Sequence, residues 1–190
     1  MAVLDHGMGN IRSVSKALEA AGAAVEVTGD MKRIRESDAL CVPGQGIFGR
    51  CMRALASDGL DDLVREWIAE GRDFLGICLG MQVLFEVSEE NGPVKGLGIF
   101  EGVVFRLPPS VSVPHIGWNT VRSAPDGSDE YFYFDHSYAV RPADERVVAG
   151  WCEHGDRFAA IVRSGSVTAV QFHPEKSGAS GIGFLKGWVS

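Results

Sequence analysis

Two short stretches of this chain carry the means for covalent chemistry. The first is Gly76-Ile77-Cys78-Leu79-Gly80-Met81-Gln82, a cysteine with a glycine two residues to either side. The second is Gln171-Phe172-His173-Pro174-Glu175, a histidine with a glutamate two residues on. A thiolate is a strong nucleophile, and it needs a neighbouring base to take its proton and later hand it to a leaving group. Histidine suits both tasks near neutral pH. Of the five histidines, His6 and His115 sit beside glycine or proline, in what read as loops. His136 precedes Ser137, and His154 lies in the polar turn Glu153-His154-Gly155-Asp156. His173 alone ends a strong strand pattern, with Glu175 on the same side of an extended chain, placed to accept from the imidazole and fix its tautomer. Cys78, His173 and Glu175 are therefore the candidate triad. The plainer alternatives are a buried structural cysteine and a histidine ending an edge strand beside a solvated glutamate. The glycines and the base, taken together, favour catalysis.

The elements must hold these groups at one rim. Phe74-Leu75 leads into the cysteine, and Met81, Leu84 and Phe85 follow it at helical spacing, so Cys78 is expected where a strand turns sharply into a helix. Such a turn exposes the sulfur, places the Leu79 N–H toward a forming oxyanion, and sets the helix dipole to favour a thiolate. Upstream, Val3-Leu4, Val25-Glu26-Val27 and Leu40-Cys41-Val42 read as strands. They alternate with helical patterns over Ile11 to Ala21 and over Leu60 to Ile68, the latter stopping at Gly71. Alternation of this kind implies a parallel sheet covered on both faces, with its strand-end loops on one rim. After Ser88 to Pro93 the pattern changes to short β-rich runs, with a hairpin around Ser164-Gly165-Ser166, so antiparallel strands are expected beside the parallel ones. A last helix carries Ile182, Leu185 and Val189.

At 190 residues a single domain is expected over 1–190. Lysine and arginine total 18 against 25 acidic residues, a net charge of −7 without a basic cluster, which argues against nucleic acid as a partner. The cysteines at 41, 51, 78 and 152 show no zinc spacing and no C-x-x-C pair, and the chain opens on no secretory signal pattern. A reducing cytoplasm fits. The longest mainly apolar run, Phe74 to Phe85, is too short and too interrupted to span a bilayer. No metal and no cofactor is expected.

The two motifs together resemble the class I glutamine amidotransferases, whose flavodoxin-like α/β domains use a Cys-His-Glu triad. Further segments narrow the resemblance: Asp5-His6-Gly7-Met8-Gly9-Asn10, Pro43-Gly44-Gln45-Gly46-Ile47-Phe48-Gly49, Pro114-His115-Ile116-Gly117-Trp118-Asn119, His136-Ser137-Tyr138 and His173-Pro174-Glu175-Lys176-Ser177. In this order they are similar to the glutaminase subunits of imidazole glycerol phosphate synthases. The resemblance implies that Cys78 attacks the side-chain amide of glutamine to give a γ-glutamyl thioester, with His173 as acid and base and Glu175 as its orienter. It implies an oxyanion hole from the Leu79 N–H and the Gly44-Gln45-Gly46 loop, and glutamine held by Gln82 and the main chain of His136-Ser137-Tyr138, with room left by Gly46. It also implies a (βα)8-barrel synthase subunit as partner in a heterodimer. That partner would receive the ammonia and make imidazole glycerol phosphate and aminoimidazole carboxamide ribonucleotide. Asn10, Trp118 and Lys176 match the docking positions.

From the residues alone Trp118 fits an interface anchor and a core tryptophan equally, Lys176 fits a solvated charge, and Gln82 an exposed helix residue. Three positions depart from the pattern: Gln45 where valine is usual, His6 where tyrosine is usual, and Asp135 where an apolar residue is common. Asp135 is open to three fates: solvation, pairing, or perturbation of His173. The competing functions are a glutaminase subunit of another biosynthetic enzyme, and a catalytically silent regulatory partner of a synthase.

Overall fold

The computed structural model describes residues 1–190, and its thirteen strands make one continuous sheet. The chain begins with β1 (Ala2–Leu4), α1 (Ile11–Ala20), β2 (Glu26–Thr28), α2 (Met31–Arg35) and β3 (Ala39–Gly44). It continues through α3 (Phe48–Ser57), α4 (Leu60–Ala69), β4 (Asp73–Cys78) and the single turn α5 (Leu79–Gln82). The second half holds β5 (Phe85–Ser88), β6 (Val94–Lys95), β7 (Phe100–Arg106), β8 (His115–Ser123), β9 (Asp129–His136) and β10 (Tyr138–Pro142). Strands β11 (Val148–His154), β12 (Asp156–Ser164) and β13 (Val167–Val170), then α6 (Gly178–Val189), complete it.

Strands β2, β1, β3, β4 and β13 lie side by side in parallel. Strands β12, β10 and β7 extend the sheet antiparallel, and β5 and β6 form its far end. A branch from β12 runs through β11 to β8 and β9. Alternation along each central strand divides the core in two. Leu4, Leu40, Val42 and Phe74 pack with α3 and α4, while Val3, Cys41, Leu75 and Ile77 pack with α1 and α6. The expected α/β fold, mostly parallel at its centre with antiparallel additions, is the one observed. No helix is long and apolar enough to cross a membrane.

Two local expectations need correction. The helix after Cys78 is one turn, not the longer helix that Met81, Leu84 and Phe85 suggest, and Phe85 opens a strand. The cause lies in a segment remote in sequence. The Leu97 N–H bonds the Val83 carbonyl at 2.7 Å, and those of Ile99 and Phe100 bond the Leu84 carbonyl, at 2.8 and 3.1 Å. So short a helix leaves N–H groups at its start but little summed dipole. His115, expected in a loop, begins β8, which pairs with β9 from His115↔His136 to Arg122↔Asp129.

Candidate active site

Cys78 closes β4 between the ends of β3 and β13, so the two neighbouring strands deliver the residues around it. Its backbone stands at φ 54°, a conformation costly for any side chain but glycine, and it marks the sharp turn expected of a nucleophile. The flanking glycines have distinct reasons. A Cβ on Gly80 would lie 1.9 Å from the Val42 carbonyl oxygen, and one on Gly76 would lie 2.7 Å from that of Gly80. The elbow therefore closes only with glycine at both places.

From β3 comes the Gly44-Gln45-Gly46 loop. Gly44 is in register with Cys78, and its backbone packs so close to Leu79 that a Cβ there would meet the Leu79 Cβ at 2.8 Å. From β13 come Gln171 and His173, both buried. His173 Nδ1 lies 2.8 Å from Glu175 Oε1, both side chains being only 2% exposed. The remaining polar atoms of the pair, His173 Nε2 and Glu175 Oε2, are buried without a hydrogen-bond partner. Burial works against a proton on His173, but the charge of Cys78 as a thiolate and the bonded carboxylate of Glu175 outweigh it, and the pKa is pushed up to about 10. The backbone of His173 is clamped as well. Its N–H donates to the Tyr133 carbonyl at 2.8 Å, and its carbonyl accepts from Ser177 Oγ at 2.7 Å.

A cavity of about 390 Å³ opens over the sulfur. It brings together Cys78, Leu79, Gln45, Gly46, Gln82, His136, Ser137 and Tyr138, all singled out in the sequence. Gln82 is buried, not an exposed helix residue, and its Nε2 donates to the Tyr138 carbonyl at 2.8 Å and to Gln171 Oε1 at 3.1 Å. His136 Nδ1 also lies 2.9 Å from the Tyr138 carbonyl, so that oxygen is already engaged twice.

The cavity also has walls that sequence reasoning missed. Glu90 lines it and accepts the Phe48 N–H at 2.7 Å; its polar loop gave no signal. Behind the cavity rather than in its wall, the fully buried Gln171, whose Nε2 lies 3.6 Å from the Cys78 sulfur, was also missed; its signal was that it shares the strand parity of His173. Asp135 proves to be paired, with Lys176 Nζ at 3.0 Å, and it is not among the charges that act on His173. His6, another of the departures, is buried just after β1, and burial lowers its pKa.

Of the positions matched to docking, Trp118 and Lys176 meet at Tyr133. Trp118 is 56% exposed, so the core reading fails. It stands edge-on to Tyr133, with ring centroids 6.2 Å apart, and Lys176 Nζ lies 5.7 Å from the same Tyr133 ring. Asn10 is exposed at the start of α1, where its side chain accepts the Ser13 N–H at 3.4 Å.

Comparison with known proteins shows the family. Residues 2–185 match the family "Glutamine amidotransferase class-I". The imidazole glycerol phosphate synthase subunit HisH of Rhodopirellula baltica is 44% identical over 192 residues, covering 97% of this chain and 94% of that protein. The protein of the same name from Aquifex aeolicus is 45% identical, covering 97% and 93%. Among solved structures, a glutamine amidotransferase superimposes with a TM-score of 0.76 at 24% identity, covering 98% of both chains. The PurLQS structure from Thermotoga maritima gives 0.74 at 17% identity, covering 100% of this chain and 98% of that one; at such identities the likeness concerns fold alone. The chain belongs to the class I glutamine amidotransferases and, within them, to the HisH subunits of imidazole glycerol phosphate synthase.

Proposed function

We propose that this subunit hydrolyses glutamine through Cys78, His173 and Glu175 and passes the ammonia to a (βα)8-barrel synthase subunit. The observation that carries the reading is the buried His173–Glu175 pair, at 2.8 Å, beside a cysteine held at positive φ. In the first half-reaction the Cys78 sulfur bonds to the side-chain amide carbon. The oxyanion that forms is stabilised by the N–H of Leu79 and an N–H of the Gly44-Gln45-Gly46 loop. His173 gives its proton to the amide nitrogen, the C–N bond breaks, and ammonia leaves behind a γ-glutamyl thioester. Water then adds as His173 takes its proton, the C–S bond breaks, and glutamate is released. Glu175 holds the imidazole in one tautomer throughout. Gln82, Gly46 and the His136-Ser137-Tyr138 segment form the glutamine pocket.

Ammonia in open water is mostly protonated and no longer nucleophilic, so its release is useful only against an acceptor site. The exposed Trp118, with Lys176 beside it and Asn10 at the start of α1, supports docking of the barrel there, since tryptophan anchors interfaces well. We read 1–190 as one domain acting as a unit, on the strength of the unbroken sheet. The acceptor product would be imidazole glycerol phosphate, with aminoimidazole carboxamide ribonucleotide, in histidine biosynthesis in the cytoplasm.

The test is glutamate release from glutamine by the chain alone and with a barrel synthase and its ribulosyl substrate. Strong stimulation in the complex is expected. Cys78→Ala should abolish glutamine use and leave synthase activity with ammonium salt intact. Loss of that ammonia-dependent activity would make Cys78 structural, and no glutamate release by the wild-type complex would favour a silent partner.

A further inference from the structure

A file of hydrogen-bonded side chains runs from β8 to the nucleophile, and each hydrogen along it has a fixed direction. The Tyr138 carbonyl can only accept, so His136 Nδ1, 2.9 Å away, carries a hydrogen. The opposite nitrogen of a neutral ring then accepts, so His136 Nε2 takes a hydrogen from His115 Nδ1 at 3.1 Å. That leaves His115 Nε2 to accept from Asn119 Nδ2 at 3.2 Å. The Asn119 amide is independently oriented this way, because its Oδ1 accepts the Thr120 N–H at 2.7 Å and its Nδ2 also donates to the Glu153 carbonyl at 3.0 Å. From the Tyr138 carbonyl the file continues through Gln82 Nε2 to Gln171 Oε1, and from Gln171 Nε2 to the Cys78 sulfur. Burial holds His115 and His136 neutral, with pKa values lowered to about 4 and about 3, so the directions persist at physiological pH.

The far end of this file is the back of the docking strand. His115 and Asn119, four residues apart, share the inner face of β8, and Trp118 stands on its outer face, 56% exposed. Trp118 and the Asn119 and His115 end of the file are therefore two faces of one strand.

We infer that His115, His136 and Gln171 are positioning residues of the glutaminase site. They fix the Tyr138 carbonyl, aim an amide N–H at the Cys78 sulfur, and tie that geometry through Asn119 to the strand that presents Trp118. The inference deepens the reading of Cys78 as nucleophile and rests on it.

The test follows alkylation of Cys78 by iodoacetamide in the full-length chain at pH 7, by mass spectrometry, because it needs neither glutamine nor a partner. Cys41, Cys51 and Cys152 are buried with raised pKa values and form a slow background. Gln171→Met is expected to slow alkylation about tenfold, the size of one hydrogen bond to a charged group. His115→Phe keeps the ring stacked on Phe134 and His154 but removes both hydrogen bonds, and is expected to slow it about threefold. His115→Asn, whose amide nitrogen replaces Nδ1, should restore most of the rate. The double variant His115→Phe with Gln171→Met should lose less than the product of the single effects, as linked groups do. Asn119→Asp, an isostere that cannot donate to His115, gives the same reading if His115→Phe fails to fold. Equal rates for His115→Phe and His115→Asn, independent multiplying effects, or wild-type alkylation in Asn119→Asp would each overturn the inference. Glutamate release by the wild-type complex, measured in parallel, tells a failure of this inference from a failure of the glutaminase reading.

Discussion

Buried histidines occupy two neighbouring regions of this protein and are driven in opposite directions. His173 faces Cys78 and Glu175, and although burial opposes its charge, the two acidic groups raise its pKa to about 10. His115 and His136 are also buried, but they face each other, His154 and backbone carbonyls, and they fall to about 4 and about 3. The difference lies in the partners and not in the depth. Against two acidic groups, a buried imidazole keeps a proton that it can give away; where no anion opposes burial, it stays neutral and forms a hydrogen-bonded strut.

The strongest way to break this contrast is to remove the charge that sustains one side of it. Glu175→Gln keeps shape but not charge, and should lower glutamate release by up to about ten-thousandfold, the loss that follows when a triad acid becomes an amide. It should also move the alkaline limb of the rate profile to lower pH, because His173 then releases its proton earlier. An alkaline limb that stays in place would mean that Glu175 does not set the charge of His173.

The next effect is on stability. His115 and His136 have folded pKa values below the usual 6.5, so the unfolded chain binds protons first as pH falls. Their contribution is complete above about pH 6.5 and is lost as pH drops through about 4 toward 3. His173 has the opposite sign: its contribution is complete below about 6.5 and is lost as pH rises toward 10. Urea midpoints across pH should therefore fall on both sides. His136→Gln should flatten the acid side and His173→Asn the alkaline side; the reverse assignment would undo the contrast.

Of these two regions, the sequence exposed one far better. The elbow is legible because the requirement is local: Gly76 and Gly80 stand where a Cβ would strike backbone, and Glu175 follows His173 at a spacing of two. The strut is not, because it is made across strands. His115 meets His136 only through the pairing of β8 with β9, and β8 is masked by Pro114, Gly117 and polar residues that break its alternation. The length of α5 was hidden for the same kind of reason, since the carbonyls that would continue it are captured by Leu97, Ile99 and Phe100. The exposure of Trp118 was undecided until β8 fixed which face it takes.

The smallest expected effect comes from the carboxylate that stands between the two regions. Asp135 precedes His136 on β9 and so points to the other face, where Lys176 pairs with it at 3.0 Å. The side chains are 36% and 29% exposed, so solvent screens the pair and Asp135→Ala should change stability by no more than about 1 kcal/mol. Asp135 is absent from the groups that raise His173, so the alkaline limb of the rate profile should stay within about half a pH unit of wild type. A larger displacement would put Asp135 among the charges that hold the His173 proton, and the raised and lowered histidines would then differ by three acidic neighbours instead of two.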